Sequence, residues 1–197
     1  MRVLDVGCGS GRLLSELKGK RIEYVGIDFS STLIEVAKKQ FPQRKFLLRD
    51  IATVEGWKRL GQFDAVFCLG VLHHLPDREY QHDLLQQMFL HTKANGFLVI
   101  SVWNLWQFRF WKYHLRQIIK KVEYWNPSFV WIPYSVSNGK KVIKRVERFC
   151  KAFLAGELIS LVKQVGYQVE TFFYAAKGKT HLSIFRGENF CLLARKR

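Results

Sequence analysis

Two hydrophobic periods alternate along this chain. Short runs rich in β-branched and aliphatic residues, each of strand length, occupy Val3 to Val6, Ile22 to Ile27, Lys45 to Leu48, Ala65 to Leu69 and Gly96 to Val102. Between them, apolar residues recur at helical spacing from about Gly11 to Leu17, Ser30 to Gln40 and Arg78 to His91. Strand and helix in strict alternation predict a parallel sheet covered on both faces, with ligands at the carboxyl ends of the strands. The last part reads as a helix from Gly156 to Val165 followed by strands Tyr167 to Tyr174 and Asn189 to Ala194. The predicted class is α/β, doubly wound and Rossmann-like, in one domain over 1–197 without internal repeats. A segment at about 103–151 interrupts the rhythm and reads as an insertion.

Composition narrows this picture. With 197 residues and a hydrophobic share of 48%, one ordinary core suffices. Apolar runs such as Phe97 to Ile100 are far too short to span a bilayer, and the chain opens on a strand with no signal-peptide pattern, so a soluble, cytoplasmic protein is expected. The four cysteines, Cys8, Cys68, Cys150 and Cys191, show no C-x-x-C spacing; buried thiols are expected, with neither disulfides nor a metal site. Charge is the unusual bulk property. Thirty-two Lys and Arg against sixteen Asp and Glu leave +16, which favours a polyanionic partner, either nucleic acid or an anionic membrane face.

The first strand ends in RVLDVGCGSGRL, with glycines at 7, 9 and 11. Backbone without Cβ at a sharp strand-to-helix turn lets a ligand approach the main chain closely. A dinucleotide fingerprint needs its third glycine where Arg12 stands, and a Walker loop needs Gly-Lys-Ser/Thr where Gly11-Arg12-Leu13 stands, so NAD and triphosphates are disfavoured. The stretch resembles the first motif of class I S-adenosylmethionine methyltransferases. In that family Asp5 would sit beside the loop, and Gly7, Gly9 and Gly11 would wrap the amino-acid end of the cofactor. VGIDFS places Asp28, followed by Phe29, seventeen residues beyond Gly11, near the spacing at which an acid meets ribose hydroxyls. Ser30 reads instead as the cap of the next helix. The resemblance makes Asp50 of LLRDIA the contact to the adenine amino group, with Ile51 against the ring. In FDAVFCLGVLHHLP it puts Leu69 and Gly70 at the tip that closes the pocket. His73 and His74 either touch cofactor or substrate or pack locally. The implied fold is the methyltransferase sheet of seven strands, mostly parallel, with an antiparallel last strand. Family members carry an arm before the first strand, so part of a cofactor lid is expected to be missing from this chain.

The acceptor class follows partly by elimination. Enzymes that methylate exocyclic amino groups resemble [DNS]-P-P-[YF] where this chain has Cys68-Leu69-Gly70-Val71, and no cysteine follows a proline as cytosine-carbon methylation needs. Oxygen acceptors remain. From Trp103 to Tyr134 the insertion holds five of the six tryptophans and eleven aromatics, interleaved with Arg109, Lys112, Arg116, Lys120 and Lys121. Lys140, Lys141, Lys144, Arg145, Arg148 and Lys151 follow, so 103–151 carries eleven bases against Glu123 and Glu147. Bases for phosphates and flat rings for stacked bases suit single-stranded or looped RNA, with Trp103 and Asn104 opening the segment. An amphipathic basic helix on a membrane is the competing reading of NLWQFRFWKYHLRQIIKK, and a helix burying half of its aromatics is the plainer one.

VISVW, VWIPY, Arg148-Phe149 ahead of Phe153, GEL at 156–158 and the terminal NFCLLARK resemble the tRNA wobble-uridine methyltransferases that esterify 5-carboxymethyluridine. Their usual R-Y-Y-H-x-F reads R-F-C-K-A-F here, keeping the arginine. The resemblance implies tRNA as substrate, Arg148 as the catalytic residue that grips the acceptor carboxylate, and, as in eukaryotic members, a small activator subunit. A carboxylate is already anionic at neutral pH and needs no strong base. A lipid or small-molecule O-methyltransferase at a membrane surface, and a cofactor-binding scaffold without turnover, are the alternatives.

Overall fold

The computed structural model describes residues 1–119, 126–137, 142–176, 178–181, 184 and 187–197. Ten strands and five α-helices follow in the order β1 (Arg2–Val6), α1 (Arg12–Glu16), β2 (Glu23–Asp28), α2 (Ser31–Gln40), β3 (Lys45–Leu48), β4 (Phe63–Leu69), α3 (Arg78–His91), β5 (Thr92–Trp103), α4 (Trp111–Ile119), β6 (Phe129–Ser137), β7 (Val142–Lys151), α5 (Ala155–Gln164), β8 (Tyr167–Ala176), β9 (Lys179–His181) and β10 (Asn189–Lys196). The main sheet runs β3-β2-β1-β4-β5-β10-β8-β9. Its first five strands are parallel, and β10 lies antiparallel between β5 and β8. The α/β, Rossmann-like class is therefore as expected, but the sheet has eight strands rather than seven. The extra one is β9, three residues pairing antiparallel along the edge of β8, too short to leave a periodic signal.

Alternation along β1 explains the two layers. Leu4 and Val6 enter the larger core with Leu85, Met88, Leu158 and Leu161, whereas Val3 enters a second core with Leu14, Ile34 and Ala37. Both faces are thus covered by helices, and a fully buried Leu such as Leu4 contributes about 1.5–3 kcal/mol through the apolar area it removes from water. Ser30 caps α2 as its spacing predicts, its hydroxyl accepting from the Leu33 amide at 3.4 Å. The fifth strand starts at Thr92, earlier than Gly96, and a register irregularity between Phe63 and Ala65 of β4 and a left-handed Asn95 (φ 61°) break the regularity of its first residues.

The insertion departs most from expectation. The helix is short, Trp111–Ile119, and is preceded by a 3-10 turn at Phe108–Phe110. Then β6 and β7 pair antiparallel as a separate two-stranded sheet, with Ile132 opposite Arg148 and Val130 opposite Cys150. A small core of Leu105, Val130, Cys150 and Ala152 holds it, packed by Trp103, Trp106, Phe110, Tyr113 and Ile132. Three other aromatics face outward: Phe108 is 83% exposed, Trp111 54% and Trp131 49%. No helix among the described residues is long and apolar enough to cross a membrane.

Candidate active site

At the end of β1 the chain must turn sharply, and Gly7, Gly9 and Gly11 all take positive φ (71°, 54° and 83°), the region that glycine alone enters without strain. A Cβ on Gly7 would lie 2.3 Å from Val71 Cγ2, so the loop and the tip of β4 close on each other only because the side chain is absent. Gly9 and Gly70, by contrast, face open space: a Cβ on Gly9 would meet only Leu33 Cδ1 at 4.0 Å, and one on Gly70 nothing. That bare backbone is the cradle a ligand would fill.

Asp28 ends β2 with 6% exposure, and its two carboxylate oxygens accept from the Gly9 and Ser30 amides, each at 2.9 Å. One contact ties the second strand to the glycine loop; each oxygen retains a lone pair for a hydroxyl. Asp5 is more deeply enclosed. Tyr24 donates to its Oδ2 at 2.7 Å, and burial, with Asp28 adding repulsion, pushes its carboxyl up to about 6 against the lowering effect of that hydrogen bond. Asp50 is exposed and closes its own turn, Oδ1 accepting from the Ala52 amide at 3.0 Å. Ile51, beside it, lines a cavity of about 260 Å³ with Leu75 and Tyr80. Phe29 projects into solvent, 75% exposed, next to the Asp28 carboxylate. Leu69 and Gly70 end β4, where the Gly70 amide donates to Ser101 O at 2.9 Å.

Beyond Gly70 a 3-10 turn, Leu72–His74, carries the histidine pair against β7. His73 is wholly buried, and neither ring nitrogen has a partner among the described residues. Desolvation holds its imidazole down to about 2, with His74 and Arg148 adding to the effect; His74 is also lowered, chiefly by burial. Trp103 stands 4.9 Å from His73 between ring centroids. His74 Nδ1 reaches Phe149 O at 3.2 Å and Cys150 Sγ at 3.7 Å. His74 thus has a cysteine neighbour that cysteine spacing does not reveal, because the hairpin brings Cys150 to it from far along the chain. Burial pushes that thiol up to about 11. Arg148, one residue before Phe149, lays its guanidinium 3.8 Å from the Tyr134 ring centroid. Trp103 also lines a cavity of about 490 Å³ with Arg109, Phe110, Lys112, Tyr113, Glu188 and Asn189.

Several expected RNA contacts have internal partners. Asn104 is 2% exposed, and its amide donates to Ile184 O and to Gly187 O, fastening the segment before β10. It is a clamp of the fold, because a buried amide must satisfy its donors inside the chain. Arg116 pairs with Glu147 at 2.6 Å, Lys151 with Glu157 at 2.6 Å, and Arg109 approaches Glu188 at 3.7 Å. Lys112 lies over Tyr113, and Arg145 is exposed on β7. Lys120, Lys121, Lys140 and Lys141 lie outside the described residues, as does the side chain of Lys144. Tyr24, Val71, Tyr134 and Cys150 are the site residues that sequence reading missed. Tyr134 and Cys150 both stood in the insertion already marked as unusual.

A parallel α/β sheet with a glycine loop after β1, an acid after β2 and an open crevice at the strand ends defines a Rossmann-like cofactor-binding domain. The chain belongs to the family described as "Methyltransferase domain", whose model matches residues 1–172. A ubiquinone biosynthesis O-methyltransferase of Rickettsia canadensis is 28% identical over 148 residues, 75% of this chain and 58% of that protein. The chain spans about half the length of the curated relatives it matches. Among solved structures, a SAM-dependent methyltransferase of Methanosarcina mazei superposes with a TM-score of 0.74 at 19% identity, over 99% of this chain and 92% of that one. Magnesium protoporphyrin IX methyltransferase of Synechocystis, solved with bound S-adenosylhomocysteine, gives 0.65 at 16% identity over 99% and 73%. These two likenesses establish the fold. The cofactor of the family is S-adenosylmethionine, and the bare cradle at Gly9 and Gly70 fits it.

Proposed function

We propose that this domain methylates an oxygen that is already anionic, and specifically the carboxylate of a carboxymethylated wobble uridine in tRNA. S-adenosylmethionine, when bound, supplies a methyl group carried on a sulfonium. The loop from Gly7 to Gly11, beside Asp5, would hold its amino-acid end, Asp28 with Phe29 its ribose, Asp50 and Ile51 its adenine, and Leu69 and Gly70 the wall by the reacting centre. The chain's part in the chemistry is positioning, because in-line transfer needs the acceptor oxygen about 3 Å from the methyl and aligned with the breaking bond.

The observation that carries this reading is the setting of Arg148. Arg148 lies on the strand pressed against the His73–His74 turn and its guanidinium stacks on Tyr134, so a fixed cation stands beside one buried and one half-buried imidazole. Placing a second positive charge on either histidine there is opposed by burial and by Arg148 alike. The pair is therefore a poor general base, which disfavours acceptors that must lose a proton and suits one that arrives as an anion. Arg148 would hold such a carboxylate by charge-assisted hydrogen bonds. Arg109 and Lys112, around the cavity at Trp103, offer charge for the flanking phosphates.

A second reading has one specific support, since several relatives are named ubiquinone biosynthesis O-methyltransferases and so point to a phenolic acceptor. Mass spectrometry of nucleosides from tRNA incubated with the protein and isotopically labelled cofactor separates the two. Labelled methyl ester on carboxymethyluridine is the expected product. Label on a phenolic quinone precursor, with none on tRNA, would replace the first reading by the second, and label on neither would favour a scaffold.

A further inference from the structure

The least economical feature of the molecule is His73. An imidazole buried completely with two unpartnered nitrogens forfeits its hydrogen bonds to water and gains none from the described protein, a state that native interiors avoid. An apolar residue would fill the same space without that penalty. The nitrogens are not scattered among aliphatic side chains, however. His74 follows at once, with ring centroids 4.2 Å apart, and Cys150 Sγ lies 3.7 Å from His74 Nδ1. One ligand atom each from His73, His74 and Cys150 can be chosen so that all lie within 4.8 Å of one another.

We propose that His73, His74 and Cys150 form a binding site for a zinc-class divalent cation, with a fourth position left for water or for an oxygen of the acceptor. Two imidazole nitrogens and one thiolate are a borderline-soft donor set, which selects zinc-like ions over magnesium or calcium. The spacing suits it: a sulfur at about 2.3 Å and a nitrogen at about 2.0 Å from one ion, at a tetrahedral angle, stand roughly 3.5 Å apart. The 3.7 Å between Cys150 Sγ and His74 Nδ1 is close to that span, and coordination through Nδ1 exchanges its contact with Phe149 O for the metal. Three ligands with one open position is the arrangement of exchangeable sites, whereas closed structural zinc sites use four.

Binding is balanced by proton release. Cys150 loses its thiol proton to solvent as the sulfur–metal bond forms, the cation sheds the waters that the three ligands replace, and His73 and His74 coordinate through unprotonated nitrogens. The thiolate offsets one of the two charges brought in, which limits repulsion with Arg148. Occupancy would also answer the question that His73 poses, because coordination satisfies one nitrogen outright. The test does not depend on which acceptor is methylated, because it reads the metal itself.

Cobalt(II) titrated into the purified metal-free protein is the probe. The expected result is one equivalent bound, with the visible bands of a tetrahedral ion and a near-ultraviolet sulfur-to-cobalt charge-transfer band, all displaced by zinc. Cys150→Ser should abolish the charge-transfer band and weaken binding about a hundredfold or more, His73→Leu should weaken it comparably, and Cys191→Ser, outside the cluster, should change nothing. Circular dichroism checks that the variants fold. Absence of the sulfur band in the wild type overturns the proposal whatever the variants do, and so does a band that survives in Cys150→Ser or disappears in Cys191→Ser.

Discussion

His73 and Trp103 face each other with ring centroids 4.9 Å apart and planes 31° from parallel, and between them they join the two halves of the site. His73 belongs to the turn after β4, beside the cofactor crevice; Trp103 ends β5 and lines the basic cavity of the insertion. The indole thus stands between the cavity lined by Arg109 and Lys112 and the turn that follows β4.

Arg148→Lys should lower turnover about 10–100-fold while leaving cofactor affinity near wild type. The lysine keeps the charge but loses the planar fork and the stacking on Tyr134. Steady-state kinetics on carboxymethyluridine-containing tRNA, beside calorimetry with the cofactor, checks both parts. Equal turnover would remove the role given to Arg148.

Asp28→Ala should weaken S-adenosylmethionine by about 1–3 kcal/mol, because the change leaves the Gly9 and Ser30 amides without their acceptor as well as the ribose without its partner. Asp28→Asn keeps one acceptor oxygen and should fall between. Calorimetric titration of the three proteins gives the order.

Asn104→Ala should cost about 1–3 kcal/mol of stability through the carbonyls of Ile184 and Gly187, with little change in the affinity for tRNA. Denaturant unfolding and a filter-binding assay distinguish this from a direct RNA contact, which would show the opposite pattern.

Asp5 supplies a pH signature. Its carboxyl is raised from 3.8 to about 6, so between those values the folded chain holds a proton that the unfolded chain has released. That contribution is complete below about pH 4, declines as pH rises through 6, and amounts to about 3 kcal/mol. The stability of the wild type relative to Asp5→Asn should fall across this window and level off above it. Burial is the main cause, Tyr24 and Arg12 oppose it and the Asp28 charge adds to it, so Tyr24→Phe should enlarge the fall and extend it to higher pH. Chemical denaturation at a series of pH values follows it.

Legibility in the sequence tracked the range of the interactions. Strands β1, β2 and β4 are largely covered on both faces, and such strands read as compact apolar runs closed by glycine or acid, so the cofactor half could be drawn from local pattern. The β6–β7 hairpin could not. Its aromatics and bases interleave in a way that suits a helix or a strand, and what decides for strands is a small core assembled with Leu105 from outside the hairpin. The partners of the bases were equally hidden, since Arg116 with Glu147 and Lys151 with Glu157 depend on how the insertion folds back. Cys150 near His74 is the extreme case, a contact between residues 76 positions apart with no shared motif. Gly7, Asp28 and Ser30 lie at the opposite extreme, their positions dictated within a turn or two of chain.

Among the described residues, the hairpin of β6 and β7 shares no strand pairing with the main sheet and keeps a core of its own. For descent with modification this means two nearly separate inheritances in one chain. Under the proposed function, substitutions along the hairpin retune what is recognised without passing through the interior that holds β1 to β5, while the glycine loop and Asp28 keep the task of holding the cofactor. A lineage can thus change its clientele and keep its trade, and grafting 104–151 between relatives is the laboratory counterpart of that history.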